Sequence, residues 1–155
     1  MRIGFGYDSH RLTAGRKCVL CGVEIPSDFG PDGHSDADAP LHALMDAMLG
    51  AAALGDIGKH FPDSDPNWHS ADSIELLKIV YYAVRKAGFS LGNADITIVL
   101  ESPRLSGHID LMRARIATAL NADVGTISVK ATTNEKMGPV GDGSGIAATA
   151  VVLLV

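Results

Sequence analysis

The stretch Gly33-His34-Ser35-Asp36-Ala37-Asp38-Ala39-Pro40-Leu41-His42-Ala43-Leu44-Met45-Asp46 decides how the chain is read. It gathers two histidines and three aspartates and then runs into an apolar segment. Imidazole and carboxylate together are a ligand set for zinc and related divalent metals. Proline is tolerated only in the first helical turn, so Pro40 places a helix start near Asp38 or Ala39. Leu41, Leu44, Met45, Met48, Leu49 and Ala52 then repeat with the spacing of one buried helical face. His42 and Asp46 are one turn apart on that helix and project together. The reading expects His42 as a half-buried imidazole with a carboxylate in reach, and Asp38 and Asp46 as capping groups or groups that orient the ligand.

A matching pair lies upstream. Residues 2–11 read as a strand, in which Asp8 and His10 point to the same side. Asp8-Ser9-His10 is thus a two-ligand clip, and His42 would supply a third ligand. Three protein ligands with an open position is the catalytic zinc pattern. Cys18 and Cys21 form a lone C-x-x-C without the second pair that a zinc finger needs, inside what reads as a strand over 18–25.

The 155 residues read as a single domain over 1–155 with a sizeable core. A net charge of −5 argues against nucleic acid as a partner, and no apolar run is long enough to span a membrane. The N-terminal residues carry no signal-peptide or transit pattern, which reads as a cytoplasmic bacterial protein or a processed plastid-type one. Acidic clusters at 32–38 and 56–65 would repel a phosphorylated substrate unless cations were held there.

Further elements follow in order. The helix from about 39 to 54 is expected to stop at Gly55, before a long acidic loop pinned by Pro62 and Pro66. A second helix starts at Asp72, with Glu75 completing a capping box, and ends at Gly88. Residues 94–100 form a strand. A third helix presents Ile109, Met112, Ile116 and Leu120, and residues 127–133 form the next strand. Gly138 to Gly145 reads as a flexible turn without a P-loop ending. Ile146 to Val155 is almost wholly apolar, the mark of a strand covered on both faces. The order predicts a layered α/β (α+β) fold, a mixed, mainly four-stranded sheet with three helices on one face. Its other face would need a partner, which points to a symmetric homo-oligomer. On the residues alone, the chemistry is metal-assisted phosphoryl transfer. Glu135 and Asp56, Asp63 and Asp65 are available to an oxygen-loving cation, and Thr132 and Thr133 to phosphate oxygens.

Taken together and in order, Asp8-x-His10, His34-Ser35-Asp36-x-Asp38, Leu41-His42-Ala43-Leu44, Leu54-Gly55-Asp56-Ile57-Gly58, Phe61-Pro62-Asp63-x-Asp65 and Lys130-Ala131-Thr132-Thr133-x-Glu135-Lys136 carry a resemblance. Over essentially its whole length the chain resembles the 2-C-methyl-D-erythritol 2,4-cyclodiphosphate synthases of non-mevalonate isoprenoid biosynthesis. These are phosphorus–oxygen lyases that cyclise a cytidine diphosphate substrate and release CMP. The resemblance implies one zinc ion per subunit on Asp8, His10 and His42, and Mg²⁺ or Mn²⁺ on Glu135 with the substrate diphosphate. It implies that His34 and Thr133 position the phosphates and stabilise the transition state. Asp8, His10, His34 and Ser35 would contact substrate, and Asp56-Ile57-Gly58 and Phe61-Pro62-Asp63-Ser64-Asp65 would hold its methylerythritol part. Leu100-Glu101-Ser102-Pro103-Arg104-Leu105-Ser106 with Ala131, Thr132 and Thr133 would receive the cytidine of a substrate bound to a neighbouring subunit. The implied assembly is a homotrimer with sites between subunits. The sequence departs from many family members at Pro139 and Asp142, where an aromatic residue and an arginine line a central cavity able to hold an isoprenoid diphosphate. Asp142 argues against such anion binding.

Overall fold

Residues 4, 6, 8 and 10 share one face of a strand, and here they are Gly4, Gly6, Asp8 and His10. The structure, a computed structural model, describes residues 1–33, 35–62, 64–68 and 70–155. Its strands are β1 (Arg2–Ala14), β2 (Cys18–Leu20), β3 (Val23–Ile25), β4 (Phe29–Pro31), β5 (Leu91–Val99), β6 (Ile127–Thr132) and β7 (Gly145–Leu154). Its helices are α1 (Ala39–Ala52), α2 (Ile57–His60), α3 (Ser73–Lys86), α4 (Ile109–Leu120) and α5 (Gly138–Gly141).

Helix α1 rests directly on β1. A Cβ on Gly4 would stand 1.8 Å from the Ala47 carbonyl oxygen, and one on Gly6 would stand 2.0 Å from that of Ala43. No side chain fits there, so the helix backbone lies against the strand along Ala43, Ala47 and Ala51. The remaining faces of α1 are also closed, with Leu41, Leu44, Met45, Met48 and Leu49 fully buried. The single-stripe reading of α1 therefore understates its burial, because the alanine row adds a second buried face. The helix is capped by Asp38, whose side chain accepts from the Leu41 amide. It ends on Ala53 in the left-handed conformation, two residues before the expected Gly55.

Among the described residues the main sheet has five strands in the order β4-β1-β7-β5-β6, one more than expected. The pairs β4/β1, β1/β7 and β7/β5 are antiparallel, and β5/β6 is parallel, with α4 as its crossover. The extra strand is β4, three residues that pair with Leu12 to Ala14 and so lengthen β1 past residue 11. The predicted strand 18–25 is a hairpin instead. Cys21 and Gly22 both have positive φ and form a two-residue turn between β2 and β3. Two short helices, α2 and α5, stand where only loops were expected.

Gly6, Ala150, Ile96 and Val129 form one row across the sheet and point to the helices. The alternate residues leave the opposite face open: Ile3, Phe5, Tyr7 and Val151 are exposed large hydrophobics. So β7 is covered on one side in the single chain, not on both. Among the described residues no helix is long and apolar enough to cross a membrane.

The contact between α1 and β1 sets the fold's tolerance. Gly6→Ala is expected to destabilise the protein by about 1–3 kcal/mol, the usual cost of overpacking. Chemical denaturation measures it, and an unchanged midpoint would contradict this packing.

Candidate metal centre

Past the two glycines, the same face of β1 carries Asp8 and His10 up to the first turn of α1, where His42 stands. The Asp8 Oδ2 atom lies 2.9 Å from His10 Nε2 and 2.9 Å from His42 Nδ1, and the two nitrogens are 3.4 Å apart. Zinc bonded tetrahedrally at about 2.0–2.1 Å spaces its ligand atoms by about 3.3 Å. The donor set and spacing fit one such ion. Among the described residues, these three form the group of metal-ligating side chains that converges.

The electrostatics follow from the same contacts. Burial opposes ionisation of Asp8, but hydrogen bonds and charge from His10 and His42 outweigh it and hold the carboxyl well below the usual range. Burial by itself would lower the His42 pKa. The Asp8 carboxylate on Nδ1, with Asp38 and Asp36 beyond, raises it instead. Burial pushes the Cys18 thiol up to about 11 and raises the Cys21 thiol well above its ordinary value, each helped by the Asp38 charge. Both cysteines are free and buried, so at neutral pH they are poor competitors for metal.

The triad opens into a cavity of about 460 Å³. Of the residues assigned to substrate by the sequence, Asp8, His10, Ser35, Ile57, Gly58, Phe61 and Asp65 line it. Asp56 caps α2 through the Lys59 amide, and Pro62 and Ser64 are exposed on the same segment. His34 and Asp63 lie outside the described residues. Asp32, Met45, Trp68 and Leu76 also line the cavity and had not been expected. Phe61 and Trp68 stack edge to face at 4.9 Å and form an apolar wall. A lone tryptophan eight residues beyond Lys59-His60 gave no periodic signal to mark it.

The two aspartates expected near His42 bond to backbone. Asp46 accepts the Ile57 amide at 2.8 Å and ties α2 to α1. Asp38, fully buried, accepts from Cys21, Gly22 and Leu41 and locks the hairpin turn to the helix start. Burial, with the Asp36 charge, pushes Asp38 up to about 7 against the pull of the Gly22 and Cys21 amides.

A second polar surface lies away from this cavity. Glu101 accepts from the amides of Asn134 and Lys136, bringing segments 100–106 and 131–136 together. Thr133 donates to Glu135 at 2.8 Å. Glu135 and Lys136 both hold positive φ, a strained pair for non-glycine residues. Ser102, Arg104, Ser106, Ala131, Thr132 and Thr133 are exposed, Pro103 is half-buried, and Leu100 and Leu105 anchor the segment in the core. Asp142 caps its own turn by accepting the Ser144 amide, and Pro139 lies within α5.

A mixed α/β fold with an Asp-His-His triad in a cavity fits the class of metal-dependent enzymes. The profile of the YgbB family matches residues 1–155, and the chain belongs to the YgbB family. It is 58% identical to the 2-C-methyl-D-erythritol 2,4-cyclodiphosphate synthase of Geobacter sulfurreducens over 154 residues, covering 99% of this chain and 98% of that relative. Among solved structures it superposes on the bifunctional IspDF of Campylobacter jejuni with a TM-score of 0.95 at 44% identity, covering 99% of this chain and 42% of that one. It also matches a 2C-methyl-D-erythritol-2,4-cyclodiphosphate synthase described as its CDP-bound form, with a TM-score of 0.92, 40% identity, and coverage of 99% and 100%.

A metal at His42 would compete with protons. The raised His42 pKa adds stability to the metal-free protein that is full below about pH 6.5 and is lost as pH rises through the folded value. The depressed Asp8 pKa adds stability above about pH 3.9 that is lost only in acid. Zinc bound at His42 would replace that proton, so its stabilising effect would grow as pH rises. Melting temperatures with and without zinc should differ more at pH 8 than at pH 6. Equal shifts at both would contradict His42 as a ligand.

Proposed function

We propose that this chain is a single catalytic domain over residues 1–155 that converts 4-diphosphocytidyl-2-C-methyl-D-erythritol 2-phosphate to the 2,4-cyclodiphosphate and CMP. The observation that carries the reading is the convergence of Asp8, His10 and His42 at one end of the cavity in a chain so close to named synthases. An oxygen of the 2-phosphate attacks the β-phosphorus, the bond from that phosphorus to the CMP oxygen breaks, and the ring closes. Zn²⁺ held by Asp8, His10 and His42, and Mg²⁺ or Mn²⁺ held by Glu135 with the diphosphate, would supply the positive charge that lets two phosphates approach and polarises the phosphorus.

The protein's own groups do the rest. The nucleophile is already an anion, so no strong base is needed. Holding both phosphates in one geometry removes much of the entropic barrier, and His34 and Thr133 are assigned that task. The apolar wall of Phe61 and Trp68 suits the methyl-bearing carbon skeleton. Ile57 and Gly58 face the same space from α2. The Glu101-braced surface carrying Thr133 and Glu135 takes the cytidine side. A cytidine site is supported by the relative solved with CDP.

That surface does not line the triad's cavity, and the open sheet face exposes Ile3, Phe5, Tyr7 and Val151. Both features favour a homotrimer in which one subunit's cytidine surface completes its neighbour's triad. No role for nucleic acid or membrane is assigned.

Phosphorus NMR of the zinc- and magnesium-loaded protein with this substrate should show a cyclic diphosphate and CMP in equal amounts. A hydrolysed, uncyclised product would instead indicate a phosphoesterase, and absence of turnover would reject the reading. His42→Ala should lower the rate at least about a hundredfold, since a bound metal contributes several kcal/mol to such reactions.

A further inference from the structure

The residues behind His42 have no part in the reaction as described. Ser73 opens α3 and is fully buried. Asp36 accepts its backbone amide at 2.9 Å through Oδ2 and contacts its hydroxyl at 2.5 Å through Oδ1. Ser73 has one hydroxyl proton, and a carboxylate can only accept, so that proton lies on the Asp36 bond. The free side of the Ser73 oxygen then faces His42 Nε2 at 3.1 Å. A second hydroxyl oxygen, Ser35 Oγ, lies 3.2 Å from the same nitrogen and accepts the Ala37 amide. With Ser73 able only to accept from it, Nε2 carries the proton. A neutral imidazole with a proton on Nε2 has a bare lone pair on Nδ1. Nδ1 is the atom that meets Asp8 and His10.

We propose that Asp36 and Ser73 are positioning residues that set the tautomer and orientation of His42, so that Nδ1 is the metal-binding nitrogen. The proposal rests on the reading of Asp8, His10 and His42 as a metal site. It assigns to Asp36 and Ser73 the orienting role that the sequence suggested for Asp38 and Asp46. It also explains a polar pair at a helix start that capping does not require, because Asp72 already caps α3 by accepting the Ile74 amide. Asp36→Asn is the informative variant. An amide at that position can donate to Ser73 Oγ, which turns the hydroxyl proton toward Nε2 and drives the imidazole proton onto Nδ1.

Zinc titration of the metal-free wild type, Ser73→Ala and Asp36→Asn against a chromophoric chelator tests this. Loss of such partners typically lowers metal affinity 10–100-fold, and a loss of that size is expected in both variants while their metal-free forms keep wild-type secondary structure. Wild-type affinity in both would overturn the proposal and leave the metal site standing. Failure of the wild type to bind zinc would overturn the metal site and the proposal with it. Nitrogen NMR of zinc-loaded wild type reads the tautomer without any substitution. A protonated Nε2 and metal-bound Nδ1 on His42 are expected, and the reverse would overturn the proposal even if a variant failed to fold.

Discussion

Everything in the candidate site depends on the distance between one helix and one strand. Gly4 and Gly6 remove the side chains that would separate α1 from β1, and Ala43, Ala47 and Ala51 keep the helix side of that contact small. At this separation a short imidazole at the helix start meets an aspartate and a histidine from the strand. Had either glycine carried a side chain, His42 would have been lifted away from Asp8 and His10 together. The motif is therefore better read as Gly-x-Gly-x-Asp-x-His, with the spacers as necessary as the ligands.

Helix α1 is also the node from which polar contacts spread. Its cap, Asp38, fastens the β2–β3 turn, and Asp46, two turns on, fastens α2 and with it one wall of the cavity. Bonds to a charged acceptor are worth roughly 1.5–3 kcal/mol each when partly buried. These carboxylates hold loops in place and leave His42 to Asp8 on one side and to Ser73 on the other. The negative charge of the region thus serves to fasten loops as well as to flank the triad.

Much of this was legible in the chain because the signals are local. Alternation placed Asp8 and His10 on one face, and Pro40 placed the start of α1. Apolar spacing found α3, α4, β5 and β7 within a few residues. What was missed depends on pairing over distance or on very short elements. β4 is three residues long and exists because Leu12 to Ala14 lie beside it. The turn at Cys21-Gly22 has no Asn or Asp to announce it, since its conformation is held from outside by Asp38. Ser73 read as part of a helix start, and only the fold brings it to a histidine thirty-one residues away.

The central claim is that one zinc ion binds through an oxygen and two imidazoles supplied by β1 and α1. X-ray absorption at the zinc edge of the loaded protein tests it directly. Only nitrogen and oxygen neighbours at about 2.0–2.1 Å are expected, with imidazole scattering from two histidines. Sulfur neighbours at about 2.3 Å would place the metal on Cys18 and Cys21 and contradict it.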